Sequence, residues 1–301
     1  MKVEAFAKVN FTLEVFGKRA DGYHALRSVV MPISLSDTLD IEVTDDGEIT
    51  SDTGYDDDLC VKAARVLRNV RMFECSNVRV SGVRIRVKKR IPAGGGLGGG
   101  SADAAAVLRA LNELWEIGLP REELAEVGAQ VGSDVPALVL GGPAIMEGRG
   151  EKVTPLFQTF EHSEHSNIHL VLVNPGINCS TKEVYASCEA RPLGDEDLTE
   201  KMVAALKTGN LDRIAVALMN DLQPPAVKLH PEIADALVSL KTAGVIGAMM
   251  SGSGSSVFGL VPDSATAERI SSELNFRGFL SWPVQTVLHP DWLSRLGSNQ
   301  D

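Results

Sequence analysis

Apolar-rich runs separated by turn residues dominate the first part of the chain. Val3–Val9 and Thr12–Phe16 predict strands, with turn chemistry in Gly17-Lys18-Arg19-Ala20-Asp21-Gly22 after them. Leu26–Ile33 and Leu39–Val43 predict two more. In Val78–Lys89, Val83, Ile85 and Val87 alternate with Arg84, Arg86 and Lys88, which gives a strand with one dry face and one basic face. Asp56–Asn69 predicts a helix, its three leading acids suited to a positive N-terminal end. From Ser101 to Trp115 the period becomes helical, with Ala105, Leu108, Leu111 and Trp115 on one stripe. Pro120 suits the first turn of a short helix, and Gly132-Ser133-Asp134-Val135-Pro136 opens another junction.

Polar residues interrupt the pattern at 157–167, so a domain boundary is expected there, dividing the chain into 1–160 and 161–301. Beyond it the pattern predicts strands at 168–173, 246–251, 255–261 and 280–288. Helices are predicted at 181–188, 196–207, 211–219, 231–242 and 263–275. Strands and helices mix without strict alternation, which favours an α+β fold.

A length of 301 residues suits about two domains and a substantial core. Hydrophobic residues at 44% and charged residues at 23% exclude disorder and fibrous classes. The net charge of −11 gives no reason to bind nucleic acid, so an anionic ligand needs local features that oppose the mean field. Cys60, Cys75, Cys179 and Cys188 form no C-x-x-C pair and are too sparse for a disulfide scaffold, so reduced thiols in a cytoplasmic protein are expected. The N-terminus does not read as a signal peptide. The longest apolar run, Val135 to Met146, is short and broken by Gly141, Gly142 and Pro143, so no membrane span is expected. His162 and His165 with Glu161 and Glu164 lack a third ligand pattern, so no metal centre is read there.

Between Gly94 and Gly100 all residues but Leu97 are glycine. Such a loop costs backbone entropy and calls for a reason. One reason is close approach of the backbone to a ligand. The loop precedes a helix N-terminus, where unpaired N–H groups attract anions, and Lys88, Lys89 and Arg90 lie just upstream. These features suggest a phosphate cradle. A Walker A loop fails, because no lysine follows Gly99. A dinucleotide fingerprint fits Gly94, Gly96 and Gly99 literally but lacks a surrounding βαβ series. A loop with no ligand remains the plain alternative.

Pro92 through Ala102 resembles the Pro-x-x-x-Gly-Leu-Gly-Ser-Ser-Ala motif of the GHMP kinases. Ala7-Lys8-Val9-Asn10, Ala20-Asp21-Gly22-Tyr23-His24, Gly132-Ser133-Asp134-Val135-Pro136 and Ser251-Gly252-Ser253-Gly254-Ser255-Ser256 extend the resemblance over most of the chain. It implies a two-domain fold: an N-terminal ATP-binding domain like the second domain of ribosomal protein S5, and a ferredoxin-like C-terminal domain. It also implies ATP with Mg²⁺, the ion held mainly by phosphates and water. Asp-Gly-Tyr-His after Ala-Lys-x-Asn resembles the members whose acceptor is a cytidine diphosphate-linked methylerythritol, phosphorylated on its 2-hydroxyl in the non-mevalonate route to isoprenoid precursors. A monomer or homodimer is expected.

The resemblance assigns Lys8 and Asp134 as the catalytic pair. Read alone, they are a strand-edge charge and a helix cap. It places the triphosphate against Pro92, Ala93, Gly94, Gly95, Gly96, Leu97, Gly98, Gly99, Gly100, Ser101 and Ala102, with Lys89 toward the adenine. The Ser101 hydroxyl suits phosphate, Mg²⁺ or a helix cap. Tyr23, His24 and Tyr185 are implied to meet the cytosine, and Asn10 the diphosphate-erythritol part. Asp58 stands where the family commonly has Asn, at the nucleotide-base side. Asn220-Asp221-Leu222 is expected to be structural support.

Overall fold

The computed structural model describes residues 1–74, 81–156, 167–192 and 197–288. The histidines at 162 and 165, Cys75 and the expected boundary at 157–167 lie wholly or almost wholly outside them. Among the described residues the N-terminal sheet has eight strands: β1 (Lys2–Asn10), β2 (Thr12–Lys18), β3 (His24–Thr44), β4 (Ile49–Ser51), β5 (Gly82–Lys88), β6 (Ala144–Gly148), β7 (Lys152–Pro155) and β9 (Met219–Asn220). Its spine is β3, which the sequence pattern divides into two strands. The structure runs it unbroken because each part finds a partner: β2 and β6 pair with its first half, β5 with its second, and β1 spans both.

Helix α1 (Leu59–Glu74) begins three residues later than the sequence pattern places it. Asp58 explains the start: its Oδ1 accepts from Cys60 N at 2.7 Å and Val61 N at 3.3 Å. Helix α2 (Gly99–Leu114) lies against β1 and β3, and its buried Ala104, Ala105, Ala106 and Ala110 allow close approach. Two further helices, α3 (Arg121–Ala129) and α4 (Val135–Leu140), complete this layer. The apolar run after Asp134 is thus a short helix followed by a strand, divided where Gly141 and Gly142 take positive φ.

The second sheet is antiparallel, in the order β10 (Gly247–Met250), β11 (Val257–Val261), β8 (His169–Asn174), β12 (Leu280–Gln285). Taken in chain order from β8, the strands are arranged 4-1-3-2, the ferredoxin-like order. Around it lie α5 (Thr181–Ala186), α6 (Leu198–Thr208), α7 (Leu211–Ala217), α8 (Gln223–Leu229), α9 (Glu232–Thr242) and α10 (Ser264–Phe276). β9 pairs in parallel with β2, and one hydrophobic cluster runs from Val3 through Leu170 to Val284, so the two sheets share packing. No helix among the described residues is long and apolar enough to cross a membrane.

Candidate active site

Lys8 and Asn10 are two residues apart on β1 and therefore share a face. The β1–β3 register shifts between Phe6 and Lys8, and such irregularities re-aim side chains. There the Lys8 amide leaves the ladder and donates to Leu97 O at 3.0 Å, which ties β1 to the glycine-rich loop. The Lys8 ammonium donates to Asn10 Oδ1 at 2.8 Å and to Gly96 O at 3.1 Å, and stands 3.5 Å from Asp134 Oδ2.

Asp134 occupies the cap position of α4, yet its side chain makes no capping hydrogen bond. The carboxylate turns to Lys8 instead. This separates the chemical reading of Asp134 from the plain one. Gly98 lies between the two: with φ of 67°, a Cβ there would stand 3.1 Å from Lys8 Cε and 3.4 Å from Asp134 Oδ2. At Gly96, φ 73°, a Cβ would lie 2.1 Å from Ser251 O. The loop is glycine-rich partly because the 251–254 turn presses on it.

That turn is held from behind. Asn220 Nδ2 donates to Met250 O at 2.9 Å and Gly252 O at 2.8 Å, the supporting role expected of its segment. Asp221 Oδ2 accepts from Val15 N at 2.9 Å and Arg191 Nε at 2.6 Å.

Helix α2 starts at Gly99 with Gly98 as its cap. Ser101 therefore lies inside the first turn and is not the cap residue; it borders the cavity. The first-turn amides of Gly99, Gly100 and Ser101 have no intrahelical acceptor. The Ala102 amide donates to Gly98 O at 2.8 Å, and its side chain is buried.

A cavity of about 1000 Å³ runs along these elements. Lys8, Lys18, Lys89, Arg149 and Lys182 border it, and Asp134 is the one acid among its described lining residues. This is the local positive field that an anionic ligand requires in an acidic protein. At one end lie Leu59, Lys89 and the loop from Pro92 and Ala93 through Gly94 and Gly95 to Ser101. The Lys89 ammonium is 2.5 Å from Asp37 Oδ2 and 2.7 Å from Asp103 Oδ2. Burial lowers its pKa, and the two carboxylates outweigh that and raise it. Asp58, on the same side, uses its carboxylate on α1 and on Thr53 Oγ1 at 2.6 Å. Burial raises the Asp58 pKa, and these hydrogen bonds bring it below the ordinary value.

Tyr23, His24 and Tyr185 also line the cavity. The rings of His24 and Tyr185 are 5.7 Å apart at 41°. Burial, and then the charge of Asp134, raises the pKa of the Tyr185 hydroxyl. The Arg149 guanidinium lies 5.7 Å from the Tyr23 ring centre. Sequence reasoning did not single out Arg149; its signal was a basic residue between Gly148 and Gly150, beside an acid at 151.

The N-terminal GHMP kinase domain profile matches residues 58–142, and the C-terminal GHMP kinase profile matches 202–279. The chain belongs to the GHMP kinases. Among GHMP kinases it is 37% identical to the 4-diphosphocytidyl-2-C-methyl-D-erythritol kinase of Brevibacillus brevis, over 93% of each chain. It is 41% identical to that of Pelotomaculum thermopropionicum, over 89% of this chain and 91% of that one. A crystal structure of 4-(cytidine 5'-diphospho)-2C-methyl-D-erythritol kinase superposes with a TM-score of 0.77 at 32% identity, covering 95% of this chain and 99% of that one. The homoserine kinase of Cytophaga hutchinsonii, at 20% identity and a TM-score of 0.72 over 95% of each chain, shares the fold.

Proposed function

We propose that this GHMP kinase transfers the γ-phosphoryl group of ATP to the 2-hydroxyl of 4-diphosphocytidyl-2-C-methyl-D-erythritol, with Lys8 and Asp134 as its catalytic pair. The observation that carries the chemistry is the Asp134 carboxylate, at a helix-cap position but turned away from capping and toward Lys8 across Gly98. The paired His24 and Tyr185 rings, with Tyr23 on the same cavity, and the similarity to kinases of that acceptor support the substrate.

In this mechanism the amides at the start of α2 and the loop from Pro92 hold the triphosphate. Asp134 accepts the proton of the acceptor hydroxyl as that oxygen bonds to the γ-phosphorus. The bond from phosphorus to the bridging oxygen breaks, and ADP leaves. Lys8 holds the Asp134 carboxylate in place and offsets charge on the transferring group. Asn10 offers one amide hydrogen to the diphosphate-erythritol part, while Tyr23, His24 and Tyr185 stack on and bond the cytosine.

The described residues hold no group of three or more His, Cys, Asp or Glu able to bind a metal. One cavity carboxylate and the Ser101 hydroxyl suit Mg²⁺ carried in on the triphosphate, with phosphate oxygens and water as its main ligands. When bound, the ion neutralises charge on the β- and γ-phosphates.

A coupled ADP-release assay tests the reading. Turnover is expected with the cytidyl acceptor and none with mevalonate or homoserine; turnover with mevalonate alone overturns the substrate and keeps the kinase. The domain division at residue 160 belongs to the same proposal: 1–160 carries the ATP cradle, and 161–301 supplies Tyr185 and the 251–254 turn.

A further inference from the structure

Behind the catalytic pair, a chain of buried hydrogen bonds runs from Lys8 to helix α6. Lys8 Nζ donates to Asn10 Oδ1 at 2.8 Å, and Asn10 Nδ2 donates to Ser28 Oγ at 2.8 Å. Ser28 Oγ donates to Thr12 O at 2.5 Å. Thr12 Oγ1 accepts from Val29 N at 2.9 Å and lies 3.1 Å from Thr199 Oγ1. Thr199 Oγ1 donates to Glu14 Oε2 at 2.7 Å, and that carboxylate also takes the Thr199 amide at 3.1 Å. Lys8, Asn10, Thr12, Glu14, Ser28 and Thr199 are all buried.

The chain has only one consistent direction. A carbonyl oxygen cannot donate, so the single Ser28 hydrogen goes to Thr12 O. Ser28 Oγ can then only accept, and the Asn10 atom facing it must be the NH₂. An ammonium cannot accept, so the Asn10 atom facing Lys8 must be oxygen. Both ends therefore fix the same amide orientation. Thr199 gives its hydrogen to Glu14, so the Thr12 hydroxyl donates to Thr199.

We propose that Ser28 is a positioning residue for the transfer step. Its hydroxyl sets the orientation of the Asn10 amide, and through Asn10 it holds the Lys8 ammonium between Gly96 O and Asp134. Asn10 also borders the cavity. In the fixed orientation its second N–H is available to an anionic acceptor; the reversed amide would present oxygen to that anion and an N–H to Lys8. This inference rests on the kinase reading above. It adds a residue that borders the same cavity as Asn10 and acts, in that reading, through the Asn10 amide.

The test uses the full chain, ATP and the cytidyl acceptor. Ser28→Ala should lower kcat about tenfold and raise the acceptor KM several-fold, the size of losing one buried hydrogen bond. The ATP KM should stay within about twofold. Ser28→Thr, which keeps the hydroxyl, should restore most of kcat. In a double-mutant cycle, Ser28→Ala should add less than about twofold to Asn10→Ala, because its effect passes through Asn10. A folded Ser28→Ala with native kcat overturns the proposal. So do a loss that multiplies independently with Asn10→Ala, or a folded Ser28→Thr that fails to recover. If Ser28→Ala does not fold, Ser28→Thr and Asn10→Ala still decide: native kcat in Asn10→Ala removes the link to Lys8. Absence of ADP release from the unaltered chain sinks the kinase reading itself, a result distinct from an active enzyme indifferent to Ser28.

Discussion

The Lys8 ammonium stands 3.5 Å from Asp134, whose side chain is 32% exposed, while the Lys89 ammonium lies within 2.7 Å of Asp37 and Asp103, whose side chains are almost wholly buried. Both lysines flank the same glycine-rich loop. The first pair is open: its carboxylate faces the cavity, and the ammonium divides its hydrogens among Asn10, the loop and Asp134. The second is closed. Asp37 Oδ1 also accepts from Arg90 N and from Ile91 N at 2.9 Å, so the triad pins the segment entering the loop. An open pair can exchange a proton with a bound alcohol; a closed one fixes backbone. The same residue types thus stand open to a ligand or closed on the backbone according to what else satisfies them.

The largest effect expected from this contrast is on turnover at the open pair. Asp134→Asn should keep its fold and melting temperature, because the side chain caps nothing, yet lose roughly 10²–10⁴ in kcat, the usual contribution of a positioned base. Near-native kcat removes Asp134 from the mechanism. Lys89→Met should behave in the opposite way. It leaves two buried carboxylates without their cation, a change that costs roughly 3–5 kcal/mol of stability. Urea unfolding reads this directly, and unchanged stability would make the triad an ordinary surface contact.

Gly98→Ala is expected to show a smaller effect. A positive φ costs a residue bearing a Cβ about 1–2 kcal/mol, and the new methyl would meet Lys8 at 3.1 Å. Both stability and kcat should fall. At Gly100 φ is not positive and a Cβ meets only Leu59 Cδ1, at 3.5 Å, so Gly100→Ala should be tolerated. Equal losses at the two positions would show that the loop responds to bulk anywhere and not to the Lys8–Asp134 approach.

Which of these features can be read from the sequence depends on how local their causes are. The glycine-rich loop and the helix behind it are legible because a run of glycines needs a reason, and the helical period starts at once after it. The ferredoxin-like half follows its own apolar periods except at α8 and β9, which the pattern does not predict. The continuity of β3 is not legible, because Pro32, Ser34, Ser36 and Asp37 interrupt the apolar pattern and only pairing with β1 and β5 carries the strand through them. Asp37 could not be read as a clamp when its partners lie more than fifty residues away. The link from Lys89 to Asp37 is hidden in the sequence for the same reason. Ser28 sits in a strand that reads as ordinary, and its proposed role depends on Asn10 of β1 and Thr12 of β2, which only the fold places around it.

The closed triad also carries the smallest expected effect, a dependence on pH. Burial pushes the Asp103 carboxyl up to about 7; Lys89 opposes the shift and Asp37 adds to it. An unfolded chain releases that proton near the ordinary carboxylate value of about 3.9. Between these values the folded state holds more proton than the unfolded one, so stability falls as pH rises from about 4 to about 7 and levels off above. This is opposite to the usual salt-bridged carboxylate, which gains stability over that range. Asp103→Asn removes the titrating group and should flatten this part of the profile. Urea midpoints at pH 5 and pH 8 should therefore lie closer together in the variant than in the unaltered protein. Midpoints that stay equally far apart would assign the slope to other groups and leave the triad ionised throughout.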